Sequence, residues 1–148
     1  MFRHAHEHVD SYYAHSCKDR LSHHPRLQGE VQCDVLVVGA GFSGLHTALR
    51  LAEAGLQVIV LEASRVAWAA SGRNGGQAIL GWSCDMPPLE KALGIEGARR
   101  LWDGMAWAAN ELRELPQRHA FDCDYRRGHL WTAVLPRRVA QLHEWQEE

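Results

Sequence analysis

Gly39-Ala40-Gly41-Phe42-Ser43-Gly44 places glycines at the first, third and sixth positions of a six-residue stretch, and Glu62 follows eighteen residues after its end. That pattern suits the binding of a dinucleotide. Gly39 permits a tight turn, Gly41 lets backbone approach a diphosphate with no Cβ in the way, and Gly44 lets a helix pack closely on a strand. The first amides of a helix starting there, together with its positive dipole end, would face the phosphates; Phe42 and Ser43 belong to that turn. A carboxylate at the position of Glu62 can accept hydrogen bonds from a ribose diol. Glycines that only shape a turn, and a solvated acid at a strand end, are the plainer alternative.

A second glycine-rich stretch follows, Ala70-Ser71-Gly72-Arg73-Asn74-Gly75-Gly76-Gln77. It combines three glycines with a guanidinium, an amide and a hydroxyl. Such a loop can offer donors to a further length of ligand while Arg73 neutralises phosphate charge. The six-residue fingerprint does not separate NAD from FAD, because both carry an adenosine ribose and a diphosphate. The loop does favour FAD, since a simple NAD fold would enter a plain crossover helix here. A flexible surface loop is the other reading of the same composition.

The elements that must hold these groups can be read from periodicity. Cys33–Val38 is a short β-branched run, as expected of a buried parallel strand. Ser43 to Ala54 turns helical, with Leu45, Ala48, Leu49 and Ala52 on one stripe and Gly55 as the stop. Gln57–Leu61 reads as a second buried strand that ends at Glu62. Strand, helix and strand in this order predict a βαβ crossover and an α/β fold. Further on, a helix is expected from Glu96 to Leu115, with Pro116 ending it. A possible short strand at Asp122–Tyr125 and a clearer one at His129–Val134 follow. A last helix is expected over Arg137–Glu148, with no glycine cap and with acids at its end. Residues 1–30 read as an extended or poorly ordered arm holding six of the ten histidines. Two parallel strands cannot cover their own faces, so the chain is expected to be the N-terminal piece of a longer protein or a truncated product.

Composition narrows the classes of function. The chain has 148 residues with 16 basic and 18 acidic side chains, a net charge of −2. That balance gives no reason to expect nucleic acid or an anionic membrane surface as a partner. No apolar run approaches the roughly 20 residues that span a bilayer. Met1 to Val9 is histidine-rich without an apolar core, so it does not read as a secretory signal, and a cytoplasmic location is expected. Cys17, Cys33, Cys84 and Cys123 are scattered, and reduced thiols are expected. His4, His6 and His8 alternate, with His23-His24 beyond, but no carboxylate or cysteine completes a shell around them. No metal site is expected.

With these residues in place, the chain resembles the start of the D-amino-acid-oxidase-like superfamily of FAD-dependent oxidoreductases, and within it the gamma-glutamylputrescine oxidase group of bacterial amine oxidases. The matching stretches are Ser11-Tyr12-Tyr13, Cys33-Asp34-Val35 leading into VVGAGFSGL, the VIVLEA strand end and ASGRNGGQ. Arg99-Arg100-Leu101-Trp102, Phe121-Asp122-Cys123-Asp124-Tyr125 and Gly128-His129-Leu130 extend the match. The resemblance implies FAD, with Gly39, Gly41, Phe42, Ser43 and Gly44 along its diphosphate and Glu62 on the adenosine ribose. Ser71, Arg73, Asn74 and Gly75 would lie along the diphosphate and toward the flavin. It also implies that residues 31–148 form the N-terminal portion of a Rossmann-like FAD-binding domain, with the start of a substrate-domain sheet. The implied reaction is oxidation of a C–N bond in a small amine or amino acid: hydride passes to the flavin, the imine hydrolyses, and dioxygen reoxidises the flavin to give peroxide. No catalytic acid or base is indicated among these residues. An NAD(P)-binding dehydrogenase domain and a non-catalytic truncated remnant stand as alternatives.

Overall fold

The computed structural model describes residues 7–147. They fall into two compact units, Met1–Gln77 and Ala78–Glu148.

The first unit is built on the expected strand, helix and strand. β1 (Val35–Val38) and β2 (Val58–Leu61) pair in parallel, with Val35 opposite Val58 and Val38 opposite Leu61. Asp34 closes the open end of this ladder. Its amide and that of Val35 both donate to the Gln57 carbonyl, at 2.9 and 3.2 Å, and its carboxylate takes the Gln57 amide at 2.7 Å. The polar fork explains why the paired strand starts at Val35 rather than at Cys33.

Between the strands runs α1 (Phe42–Glu53), which packs on both. Ala48 is its buried residue, and the turn ahead of it buries Ala40 to 1% exposure. The helix ends as its sequence suggests. The amides of Ala54 and Gly55 fold back onto the last turn, and Gly55 adopts a left-handed φ of 87°. The far face of β1 is open, with Leu36 51% and Val38 81% exposed. This is the uncovered sheet face expected of two parallel strands.

The close approach of α1 to β1 depends on Gly44. A Cβ there would lie 2.0 Å from the Gly39 carbonyl oxygen and 3.4 Å from a Val37 methyl. Gly39 itself has φ 105°, a left-handed turn that returns the chain from strand to helix.

The described part of the arm is more ordered than its composition suggests. Tyr12–Ser16 forms a short helix and Lys18–Arg20 a single 3-10 turn. Ser11 starts the helix, because its hydroxyl accepts the Ala14 amide at 3.2 Å. His4 and His6 lie outside the described residues.

The second unit holds α2 (Met86–Arg118), interrupted at Gly94, where φ 72° and ψ 166° leave the helical region. It starts earlier than expected and runs past Pro116 to Arg118. Pro116 removes one hydrogen bond, but Arg118 reaches back across it to both carboxylate oxygens of Glu111, at 3.1 Å each, and holds the last turn. The expected strands at Asp122–Tyr125 and His129–Val134 do not form among the described residues. A strand exists through a ladder partner, and neither segment has one. Trp131 instead meets Trp145, edge to face at 5.3 Å. Trp145 stands on α3 (Val139–Glu147), the expected C-terminal helix, which a 3-10 turn over Pro136–Arg138 precedes.

Gly44→Ala is expected to destabilise the first unit by about 2 kcal/mol or more through overpacking. Gly39→Ala should cost about 1–2 kcal/mol through its left-handed φ. Urea unfolding followed by circular dichroism compares the two, and Gly44→Ala should have the lower midpoint.

Candidate functional site

The two glycine-rich stretches and Glu62, separate in sequence, meet at the carboxyl ends of β1 and β2. In open α/β sheets this is the end where ligands bind. Glu62 directly follows β2, and its side chain turns to the start of the glycine turn. Its Oε2 accepts the Ala40 amide at 2.7 Å, and its Oε1 accepts the Ser64 amide at 2.9 Å. A carboxylate has about four acceptor sites, so both oxygens retain capacity for ribose hydroxyls.

Two opposed effects act on this carboxyl. Desolvation in the turn raises its pKa, while the amides of Ala40, Ser64 and Ala63 favour the charged form and together hold it below the ordinary value of 4.5. Glu62 is therefore an anion at neutral pH, organised by backbone rather than by a cation.

The third component is the loop. Ala70–Gly72 is a 3-10 turn that presents Ser71, whose hydroxyl accepts the Phe42 amide at 3.0 Å. Gly41, the N-cap residue of α1, has no side chain with which to cap the helix, so Ser71, 29 positions after the Phe42 amide it accepts, supplies the oxygen. A Cβ on Gly41 would stand 3.0 Å from that same Oγ. Gly41 thus makes room for Ser71. Among the described residues, the amides of Gly41, Ser43 and Gly44 have no protein acceptor. They are the donors that an anion at a helix start requires.

The loop is held from behind. Ala67 has φ 56°, its amide donates to the Ala40 carbonyl at 2.8 Å, and its own carbonyl fills the space that a Gly72 Cβ would occupy, 2.2 Å away. Asn74 locks the outgoing turn. Its side-chain nitrogen donates to the carbonyls of Ala70 and Ser71, at 3.2 and 2.9 Å, and its oxygen accepts the Gly76 amide at 2.9 Å. Arg73 lies 4.3 Å over the Trp68 ring and donates through Nε to the Trp68 carbonyl at 2.9 Å. Gly75 stands exposed between Asn74 and Gly76, with no atom closer than 4.0 Å to a Cβ built on it.

A cleft of about 690 Å³ opens beside Glu62. It is lined by Ala40, Leu61 and Arg65 and by His23, Pro25 and Leu27 of the arm. The volume falls within the range of small-molecule and cofactor sites. Sequence reasoning missed Arg65, Trp68 and His23. Arg65 was visible as a cation three residues after the acid, but nothing in the sequence ties the arm to it.

The residues present fit a dinucleotide: open amides at a helix start, a backbone-organised carboxylate, and beside that carboxylate a cleft large enough to take a nucleoside. Residues 34–148 match the family described as FAD dependent oxidoreductase, and the chain belongs to that family. Over 95% of its length it is 45% identical to gamma-glutamylputrescine oxidoreductase of Escherichia coli. It is 40% identical over 96% of its length to a probable oxidoreductase OrdL of Haemophilus influenzae, and 36% identical over 72% to one of Rhizobium meliloti. The chain spans about a third of the first two relatives and a quarter of the third. No solved structure matches.

Removing the Glu62 charge gives a pH-dependent result whose sign is fixed. A carboxyl with a lowered folded pKa stabilises the fold above its ordinary value of 4.5, and that contribution is lost as pH falls through the lowered value. Glu62→Gln should therefore be less stable than the parent at pH 7. The difference should shrink on acidification and vanish once both proteins are fully protonated, as urea midpoints measured across the acid range would show.

Proposed function

We propose that this chain supplies the FAD diphosphate and adenosine site of an amine or amino-acid oxidoreductase. The observation that carries the reading is the meeting, at one turn, of the open amides of Gly41, Ser43 and Gly44 with the Glu62 carboxylate. Gly39, Gly41, Phe42, Ser43 and Gly44 would carry the diphosphate, and Glu62 the ribose. Ser71 positions the turn by capping Phe42. Arg73, Asn74 and Gly75 shape the loop that continues toward the flavin, and the hydrogen bonds of Asn74 hold it in one conformation.

FAD, when bound, supplies the electron acceptor for oxidation of a C–N bond, with dioxygen as the final oxidant. The relative named for gamma-glutamylputrescine supports a small molecule bearing an amine as the substrate class. The residues of this chain bind and orient the nucleotide, and no acid or base is assigned to the substrate step. Residues 31–148 are read as the N-terminal portion of the FAD-binding domain, with residues 1–30 as the arm before it. No described helix is long and apolar enough to cross a membrane. A cytoplasmic setting accords with four cysteines that are all free thiols, two of them exposed.

FAD titration of the chain, followed by quenching of flavin fluorescence, tests the reading. Binding that Gly41→Val abolishes is the expected result, because the valine side chain would displace Ser71 and block the backbone. Equal flavin retention by the variant would contradict the placement, and protection by NAD(H) without FAD binding would favour a dehydrogenase domain.

A further inference from the structure

Among the described residues, the arm is hydrogen-bonded to the segment after β2 through Arg65 and Trp68. The Arg65 guanidinium, whose side chain is 17% exposed, donates to Nδ1 of His23 at 2.6 Å and to a carboxylate oxygen of Glu7 at 3.0 Å. Guanidinium only donates, so Nδ1 of His23 accepts and the ring carries its proton on Nε2. The Trp68 indole donates to the Glu7 carbonyl at 3.0 Å. Trp68 in turn lies under Arg73 of the glycine-rich loop.

From these contacts we infer that the arm is a working wall of the nucleotide site: Glu7 and His23, acting through Arg65, hold the cleft beside Glu62 closed around the adenosine half of the ligand. This rests on the nucleotide reading above and extends it to residues outside the glycine fingerprint. Three features support it. His23 and Pro25 line the same cleft as Leu61 and Glu62, so the arm is part of its wall rather than a distant tail. Arg65 stands three residues beyond the carboxylate that would hold the ribose, so fixing its side chain fixes the short segment between them. A guanidinium that donates to both His23 and Glu7 is pre-organised, which lowers the ordering cost of binding. Glu7 and His23 touch Arg65 and are positioning residues, with no part assigned to them in chemistry.

The test compares three probes, FAD, ADP and riboflavin 5′-phosphate, titrated into the parent chain and into His23→Leu, His23→Asn and Glu7→Ala. Losing its hydrogen bond to the guanidinium should weaken FAD and ADP about tenfold in His23→Leu, and by no more than about fivefold in Glu7→Ala, whose carboxylate is 84% exposed. Riboflavin 5′-phosphate has no adenosine, and its binding should not change. His23→Asn keeps an acceptor near the position of Nδ1 and should restore most of the affinity, whereas general unfolding would weaken all three probes together. If Gly41→Val abolishes FAD binding but the arm variants bind FAD and ADP like the parent, the arm proposal is overturned and the nucleotide reading stands. Should the parent bind neither FAD nor ADP, both fall.

Discussion

A carboxylate at the end of one strand receives the amide of the turn that leaves its neighbour, and the geometry of the first unit follows from that bond. Glu62 and Ala40 are 22 residues apart, and their 2.7 Å contact fixes how the end of β2 meets the start of α1. The amide involved belongs to the most deeply buried turn residue, at 1% exposure. A buried amide without an acceptor is costly, so this position favours a carboxylate even before any ligand is considered. Folding and recognition therefore use the same atoms. The arrangement that satisfies Ala40 also leaves a charged acceptor facing the cleft, and the neighbouring amides without acceptors complete its chemistry.

The βαβ unit was readable because its signals are local. β-branched runs, one helical stripe and glycines at the turns placed β1, α1 and β2 to within two residues of where they lie. The small shift at Cys33 comes from a contact between the strands, the fork that Asp34 makes with Gln57 23 residues on. The steric role assigned to Gly44 is what the structure shows, since only a hydrogen fits beside the Gly39 carbonyl. Gly41 is a partial case. The sequence called for close approach at that position, and the atom that approaches from within the chain is the Ser71 hydroxyl.

What stayed hidden was long-range. The contact between Ser71 and Phe42 spans 29 residues, and that between Arg65 and Glu7 spans 58. Periodicity carries no information about such pairs. The arm looked featureless because histidines and scattered polar residues give no stripe, yet its Ser11 cap and its contacts with Arg65 and Trp68 order it. The segment His129–Val134 erred in the other direction. Its composition suits a strand, but a strand is defined by its neighbour, and Trp131 is occupied by Trp145.

The Ala67 carbonyl, lodged where a Gly72 side chain would begin, has a bearing on how this loop can evolve. A new side chain at position 72 must push either that carbonyl or its own turn aside, and the turn is what carries Ser71 to the helix start. A lesion at Gly72 would thus register as a loss at Ser71, with the hydroxyl present in the sequence but out of reach. The loop is thus held as a block by its own backbone, although most of its side chains face water.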